Sequence, residues 1–168
     1  MKKIIILLFF VIVVLVILNE KEIILIPEDA IRFRVIANSD EVTDQKLKTD
    51  IKNNVERELF TLIKDAKSSK EARDIINNNL DKVDNIVSKY NVSYDINYGN
   101  NYFPEKTYKG INYEAGNYES LVITLGSGSG KNWWCVLFPP LCLLDEQKNI
   151  SNYEYELYVN QIIDSFKK

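Results

Sequence analysis

Few side chains in this sequence could carry out chemistry, because none of its 168 residues is histidine. A Ser-His-Asp triad, a Cys-His dyad and any zinc site with a histidine ligand are therefore excluded. Two cysteines, Cys135 and Cys142, cannot form a metal site alone. Outside the cytoplasm they could join as a disulfide, and otherwise each is a small buried apolar residue. We expect no metal and no cofactor.

Carboxylates could still do acid–base work without histidine. Asp40, Glu119 and Asp145 are candidates near the predicted ends of strands. A glycosidase needs two such groups that face each other across a cleft, which one sequence does not establish. The commonest role of an aspartate placed like Asp40 is to cap a turn or a helix. A cell-wall hydrolase that uses a carboxylate pair is therefore the alternative to a binding function.

The glycine-rich segment 126–132 has the composition of a phosphate-binding loop but lacks its spacing. A loop of that kind ending at Lys131 would need glycine in place of Leu125, serine or threonine in place of Asn132, and a helix afterwards. A tryptophan-rich strand follows instead, so we predict a flexible hairpin loop. The formal net charge of -3 also argues against nucleic acid as a partner, because phosphate binding needs a basic surface.

The N-terminus predicts export. Lys2 and Lys3 precede an unbroken apolar run at residues 4–18. This order is typical of a secretory signal, and the run is shorter than the roughly 20 apolar residues of a spanning helix. No small-x-small cleavage site follows, so residues 1–26 are predicted to be a signal peptide or a signal anchor that contacts the membrane through residues 4–18. Residues 27–168 are predicted to form one extracytoplasmic domain.

Hydrophobic periodicity predicts an α+β fold for that single domain. Apolar side chains alternate in the strands and recur every three or four residues in the helices. We expect two consecutive long helices, a mostly antiparallel sheet and a C-terminal helix. Capping boxes, Ser68 with Glu71 and Ser151 with Glu154, should open the second and last helices. The predicted helices span residues 43–66, 68–90 and 151–168. The predicted strands span residues 31–37, 92–98, 119–125 and 133–138, and turns are predicted at 99–101 and 115–117.

The aromatic segment 133–142 is the most unusual part of the sequence. Neighbouring residues on a strand point to opposite faces, so Trp133 and Trp134 cannot both be core if one face of the sheet is wet. Exposed Trp and Phe side chains beside Pro139 and Pro140 would suit a protein interface. If helices cover both faces, the whole segment is core instead.

Three blocks of the sequence resemble stage II sporulation protein R. The first is IRFRVIANSD at residues 31–40, followed by Asp44, Gln45, Leu47 and Lys48. The others are AGNYE at residues 115–119 and NWWCVLFPPLC at residues 132–142. The first and last blocks are long and specific, and the resemblance covers nearly all of the chain past residue 27.

The resemblance implies a signalling role. Members of that family are made in the forespore and exported into the space between the two sporulation membranes. There they activate a membrane-embedded aspartic protease of the mother cell, which processes a sigma-factor precursor, and they are not known as enzymes. A chain of this kind would be secreted or tethered by its N-terminus. Our candidates for its partner-binding surface are Arg34, Asn38, Ser39, Asp40, Trp133, Trp134, Phe138, Pro139 and Pro140, with Cys135 and Cys142 as a possible disulfide.

Overall fold

The computed structural model describes residues 26–108, 111–142 and 151–166. The predicted signal or anchor segment lies outside these ranges except for its last residue. Among the helices in the described ranges, none is both long and apolar enough to cross a membrane. The elements are β1 (Ile31–Ile36), α1 (Val42–Ile63), α2 (Ser69–Asn77), α3 (Leu80–Val87), β2 (Tyr94–Phe103), β3 (Lys106–Tyr108), β4 (Ile111–Tyr113), β5 (Gly116–Leu125), β6 (Asn132–Phe138) and α4 (Asn152–Phe166).

Four strands form a mixed sheet in the order β2-β5-β1-β6. The outer pairs, β2 with β5 and β1 with β6, are antiparallel, whereas the central strands β1 and β5 run parallel. The predicted α+β class is confirmed, and the antiparallel prediction holds for the two outer pairs. A parallel pair needs a long crossover connection, and the helices α1 to α3 lie in the connection between β1 and β5.

The first face of the sheet packs against α1, α2 and α3. Alternate residues of the two central strands, such as Phe33, Val35, Leu121 and Ile123, have no exposed surface. They meet a helical stripe with the spacing of four that the sequence predicted. That stripe consists of Ile51, Val55, Leu59 and Ile63 on α1, with Ala72, Ile76, Val83 and Val87 from α2 and α3.

The second long helix was predicted wrongly, because two shorter helices occupy its range. The break falls within three consecutive asparagines at residues 77–79. Asn79 donates a side-chain hydrogen bond of 2.8 Å to the carbonyl oxygen of Ile75, and asparagine competes in this way with the helical backbone pattern. The predicted start is confirmed, since Ser68 Oγ accepts from the backbone N–H of Glu71 at 3.2 Å.

The predicted turn at 99–101 is wrong, because β2 passes through it. The turn predicted at 115–117 is displaced, because the connection between β4 and β5 covers residues 114–115 and β5 begins at Gly116. β2 continues to Phe103 and pairs with β5 over ten residues, with Gly99 opposite Ser120 and Phe103 opposite Gly116. Asn101 supports the extension by donating a side-chain hydrogen bond of 3.1 Å to Ser120 Oγ. Turn-forming residue types are tolerated here because β2 is an edge strand with one long neighbour.

The second face of the sheet is covered in part by α4 and by the hairpin of β3 and β4. The capping box that opens α4 is present, since Glu154 N–H donates to Ser151 Oγ at 3.2 Å and Ser151 N–H donates to Glu154 Oε2 at 2.9 Å. A second, smaller core forms beneath this cover. Its buried members are Ala30, Ile111, Val136, Leu141, Tyr155, Val159 and Ile163.

The glycine-rich segment is not the predicted hairpin loop, because β1 lies between β5 and β6 in the sheet. The loop instead crosses the end of β1, where Gly130 N–H donates to the carbonyl oxygen of Ala37 at 2.9 Å. A Cβ atom on Gly130 would lie 2.2 Å from the backbone oxygen of Ser39. Only glycine allows this close approach of two backbone segments.

We therefore expect Gly130→Ala to lower the free energy of unfolding by about 1–3 kcal/mol, because the backbone must shift to remove the clash. Gly99→Ala is the matched control, since a Cβ there meets nothing nearer than 3.9 Å. Urea unfolding of both variants and the wild type measures the difference. Equal stability of the two variants would contradict the close approach at Gly130.

Candidate partner-binding surface

Strand β1 carries two arginines on the second face of the sheet. Alternation along the strand sends Phe33 and Val35 into the core, so Arg32 and Arg34 point the other way. In the antiparallel register Arg34 lies directly opposite Trp134 of β6. The central position of β1 therefore brings two cations and an aromatic ring to the middle of a sheet face.

These arginines belong to a cation–aromatic ladder in which charged groups alternate with rings. We use this name for Arg32, Arg34, Lys106, Phe103, Tyr118 and Trp134. The guanidinium carbon of Arg32 lies 3.3 Å from the ring centroid of Tyr118 and 5.3 Å from that of Phe103. Arg34 lies 5.7 Å from the centroids of both Phe103 and Trp134. Lys106 Nζ is 4.8 Å from the Trp134 centroid, which ends the ladder.

The ladder buries positive charge without a carboxylate from the described part of the chain. Arg32 is 4% exposed, and burial lowers its pKa below the usual arginine value. Burial also lowers the pKa of Arg34, whose Nη1 donates to the carbonyl oxygen of Tyr102 at 3.3 Å. Cation–π contacts contribute about 0.5–2 kcal/mol each, which offsets part of the cost of desolvation. The surface is therefore electropositive in a chain of negative net charge.

A cavity of about 140 Å³ opens beside the ladder. Its walls come from β1 and β6 on one side and from the β3–β4 hairpin and α4 on the other. A cavity of this size matches one that holds a benzene ring, so a single side chain would fill it. The lining includes Arg32, Phe103, Lys106, Tyr108, Tyr113, Asn132, Trp134 and Tyr155.

The two tryptophans lie on opposite faces of β6, as predicted. The Trp133 ring packs edge-on against Phe33, with 5.6 Å between centroids, and Lys52 Nζ lies 4.3 Å from its centroid. Trp133 thus belongs to the side of the sheet that the helices cover. Trp134 packs edge-on against Phe103 at 5.6 Å on the second face. Both tryptophans contribute to the cavity lining, and of the pair Trp134 is the one that lies against an arginine, Arg34.

Asn38, Ser39 and Asp40 hold together the junction between β1, α1 and the glycine-rich loop. Asn38 Oδ1 accepts from Ser127 N–H at 2.9 Å, and Asp40 Oδ1 accepts from Lys131 N–H at 2.7 Å. The Ser39 hydroxyl donates to Asp44 Oδ2 at 2.7 Å. These side chains therefore fix local structure, and a contact of theirs with a partner stays a prediction.

The proline end of the aromatic segment is largely inside the fold. Phe138 is 2% exposed and packs against Phe166 of α4, with 4.8 Å between ring centroids. Pro139 is buried as well, and Pro140 is half-buried. The expectation that this Phe and these prolines form an exposed anchor does not fit their burial, because α4 packs over this end of β6.

Cys135 and Cys142 form the disulfide that the sequence analysis gave as possible, and it ties the middle of β6 to the turn that follows the strand. Glu56 lies close to both sulfur atoms and pairs with Lys52 one helical turn away. Three potential metal ligands thus meet at one point. Sulfur atoms joined in a disulfide carry no thiolate, however, so this group does not form a zinc site.

The two candidate carboxylates that the structure describes, Asp40 and Glu119, do not form a catalytic pair. Glu119 receives 2.7 Å hydrogen bonds from Arg73 Nε and 2.8 Å from the Tyr98 hydroxyl, and the Arg73 contact lowers its pKa. Asp40 follows the end of β1, whereas Glu119 precedes the register pair Arg32 and Ser120 near the beginning of that strand. At ~3.3 Å per residue, four or more residues separate them by at least ~13 Å. Asp145 lies outside the described residues.

Four members of the ladder were missed by the sequence analysis. They are brought together from four strands by pairing that the sequence does not reveal, and they are Arg32, Phe103, Lys106 and Tyr118. One signal was present. An arginine at every second position of an otherwise apolar strand, as in IRFRVI, indicates a charged row on one face of a sheet.

Comparison with known proteins places the chain in a family. The family model for stage II sporulation protein R matches residues 27–148, which is most of the chain. The chain belongs to the stage II sporulation protein R family. Stage II sporulation protein R of Bacillus subtilis strain 168 is 44% identical over 133 residues, which is 76% of this chain and 59% of that protein. The chain thus matches about three fifths of its curated relative, and no solved structure gives a significant match.

Removal of the disulfide should destabilise this family domain. We expect Cys135→Ser combined with Cys142→Ser to lower the free energy of unfolding by about 2–3 kcal/mol, the loop-closure entropy of an eight-residue ring. Urea unfolding with and without dithiothreitol measures the effect. The wild type should lose stability on reduction, whereas the double variant should not respond. A wild type that reduction leaves unchanged would contradict a structural bond.

The ion pair of Glu119 and Arg73 should make stability depend on pH. Because the folded pKa of Glu119 lies below its ordinary value of 4.5, its contribution is complete above that pH and is lost as pH falls through the folded pKa. Between about pH 6 and pH 3, the wild type should therefore lose more stability than Glu119→Gln. Arg73→Gln should show the same weaker dependence, and equal pH dependence in all three proteins would contradict the ion pair.

Proposed function

We propose that this chain is an exported intercompartmental signalling protein that activates a membrane-embedded aspartic protease during sporulation. The protease would then process a mother-cell sigma-factor precursor. Membership of the stage II sporulation protein R family is the observation that carries this proposal. The predicted N-terminal signal and the disulfide support it, because disulfides persist in oxidising compartments outside the cytoplasm.

The cation–aromatic ladder is the surface best suited to the partner. Tryptophan and arginine are the residues that most often dominate binding energy at protein interfaces. Arg34 and Trp134, two of the sequence candidates, lie together on this surface beside a cavity of side-chain size. An activator must bind the active state of its target more tightly than the inactive state, and a pocketed surface gives the specificity for that.

The alternative, a cell-wall hydrolase, gains no support from the described carboxylates. Asp40 binds the backbone of the glycine-rich loop, and Glu119 is clamped by Arg73 and Tyr98. Both groups are engaged in structural contacts, and they lie at opposite ends of β1. We therefore favour activation through binding.

Co-expression in a non-sporulating host tests this function directly. The host would make the protease, its sigma-factor substrate and this chain, and processing would be followed by immunoblot. We expect processing only when this chain is present. Processing that proceeds equally well without this chain would contradict the proposal.

Surface variants in the same assay test where the partner binds. Trp134→Ala should weaken activation roughly 30-fold, the effect of losing an interface anchor worth about 2 kcal/mol. Arg57→Gln is a control because Arg57 is exposed on α1, on the far side of the sheet. Matched urea midpoints would exclude unfolding as the cause. Equal activation by both variants would contradict an interface at the ladder.

A further inference from the structure

We propose that the cavity beside the cation–aromatic ladder binds one acidic side chain, an aspartate or glutamate, in a peptide segment of the partner protein. This inference rests on the proposed function for the identity of the partner. The chemistry of the ligand is argued from the cavity, from three cations beside it, and from buried polar atoms that have no partner in the described structure.

The first observation concerns the buried arginine at the centre of the site, which has one unsatisfied donor within the described ranges. Arg32 is more than nine-tenths buried and lines the cavity. Its Nε–H finds no acceptor among the residues that the structure describes. A buried donor without an acceptor costs about 1–3 kcal/mol, and more when it carries charge. The guanidinium contacts the rings of Tyr118 and Phe103, and Tyr118 is also a side-chain hydrogen-bond partner, yet Nε–H stays unsatisfied within the described ranges.

The second observation is that further orphan donors lie on the same surface. Arg34 Nε and Trp134 Nε1 are buried and also lack an acceptor in the described ranges. Arg34 and Trp134 are direct neighbours across the β1–β6 pair, and Arg32 lies on the same face two residues from Arg34. A carboxylate has two oxygens that accept from several donors at once, and arginine binds it in a fixed, two-pronged geometry.

The third observation distinguishes a peptide from a free anion. Asn132 Oδ1, which is also at the cavity, is buried and finds no donor among the described residues. An anion without hydrogen, such as chloride or sulfate, offers no donor to this acceptor, whereas the backbone N–H of a peptide does. The aromatic walls and the volume of about 140 Å³ suit the apolar stem of an acidic side chain. The site therefore combines donors for a carboxylate with an acceptor for a peptide N–H.

The positive charge of the site favours an anionic ligand. Lys106 adds a third cation over Trp134 at 4.8 Å. Neither arginine has a salt bridge to a carboxylate within residues 26–108, 111–142 and 151–166, although the whole chain has more acidic than basic residues. A partner carboxylate would supply the missing charge, and it would be bound in a partly desolvated site where such contacts are strong.

NMR of the full-length, ¹⁵N-labelled chain in detergent micelles tests the proposal. The chain has two tryptophans, so the indole region shows two cross-peaks, and Trp134→Phe identifies the one of interest. The probe is the blocked peptide acetyl-Leu-Asp-Leu-amide, and acetyl-Leu-Asn-Leu-amide has the same shape without the charge. We expect the acidic peptide to shift the Trp134 indole peak and to bind at least ten-fold more tightly than the neutral one.

Two arginine variants and one control test whether binding of the acidic peptide depends on the arginines of the site. Arg34→Gln should weaken binding of the acidic peptide at least ten-fold, and Arg32→Gln should do so too if its urea midpoint shows it folded. Arg57→Gln should bind like the wild type. Three outcomes would overturn the proposal. The two peptides could bind equally well, the shift could be confined to the Trp133 peak, or Arg34→Gln could bind the acidic peptide as tightly as the wild type.

Two further measurements test whether the carboxylate comes from a partner peptide. Inorganic phosphate that binds as tightly as the acidic peptide would overturn the peptide assignment. Tighter peptide binding by Asp145→Asn combined with Glu146→Gln would also overturn it, because acids of the chain itself would then compete for the site. Asp145 and Glu146 lie outside the described residues.

The processing assay separates this inference from the proposed function. If the wild type drives processing and Arg34→Gln does so equally, the carboxylate site is wrong and the signalling role stands. If the wild type drives no processing but the acidic peptide binds at Trp134, the signalling role is wrong and the carboxylate site stands.

Discussion

The structure depends on the placement of strand β1 between two long-range partners. It pairs in parallel with β5 and antiparallel with β6, so its two faces meet different environments. Phe33 and Val35 are fully buried against the helices, whereas Arg32 and Arg34 are carried to the opposite face. A shift of one residue in this register would place the arginines among aliphatic side chains. Their burial would then lack the ring contacts that offset it on the observed face, so the observed register is favoured.

Because their environments differ, the two faces of the sheet have different roles. The helix-covered face is an aliphatic core, and its burial supplies the stability of the fold. The other face is only partly covered by α4 and the β3–β4 hairpin, and its rings and cations stabilise one another through cation–π and edge-on contacts. Aromatic and arginine side chains bury a large area while retaining polar groups that face outwards. A surface of this kind can be ordered before a partner arrives, which lowers the entropy cost of binding.

The C-terminal end of β1 is secured by polar contacts that involve backbone groups. The glycine-rich loop crosses the strand end, where Asn38 and Asp40 receive hydrogen bonds from its backbone. Lys48 of α1 donates to the carbonyl oxygen of Lys131 at 3.0 Å, so the first helix, the loop and the strand are joined. The RVIANSD block that marks the family is thus in large part a structural junction. A specific sequence block does not by itself identify a binding surface, because close backbone contacts constrain residue type just as strongly.

The sequence by itself determined the elements whose signals are local. Side-chain spacing predicted the period of four on α1, the strand alternation at residues 31–36 and the opposite orientation of Trp133 and Trp134, and the structure has all three. It also predicted the helix starts at Ser68 and Ser151. Both caps are present, although Glu71 accepts from Lys67 N–H where a full capping box would use Ser68 N–H. The absence of histidine excluded several catalytic sites in the same local way. The family was also readable from sequence blocks, and the family comparison confirms it.

Only the tertiary structure decided what depends on pairing between distant residues. The parallel β1–β5 pair, the passage of β2 through Gly99 and the crossing of the glycine-rich loop over β1 all depend on neighbours far away in the chain. The same pairing assembled Arg32, Phe103, Lys106 and Tyr118 around Trp134, and it buried Phe138 beneath α4. Local propensity describes what a segment can do alone, whereas strand order sets which side chains meet and which are covered.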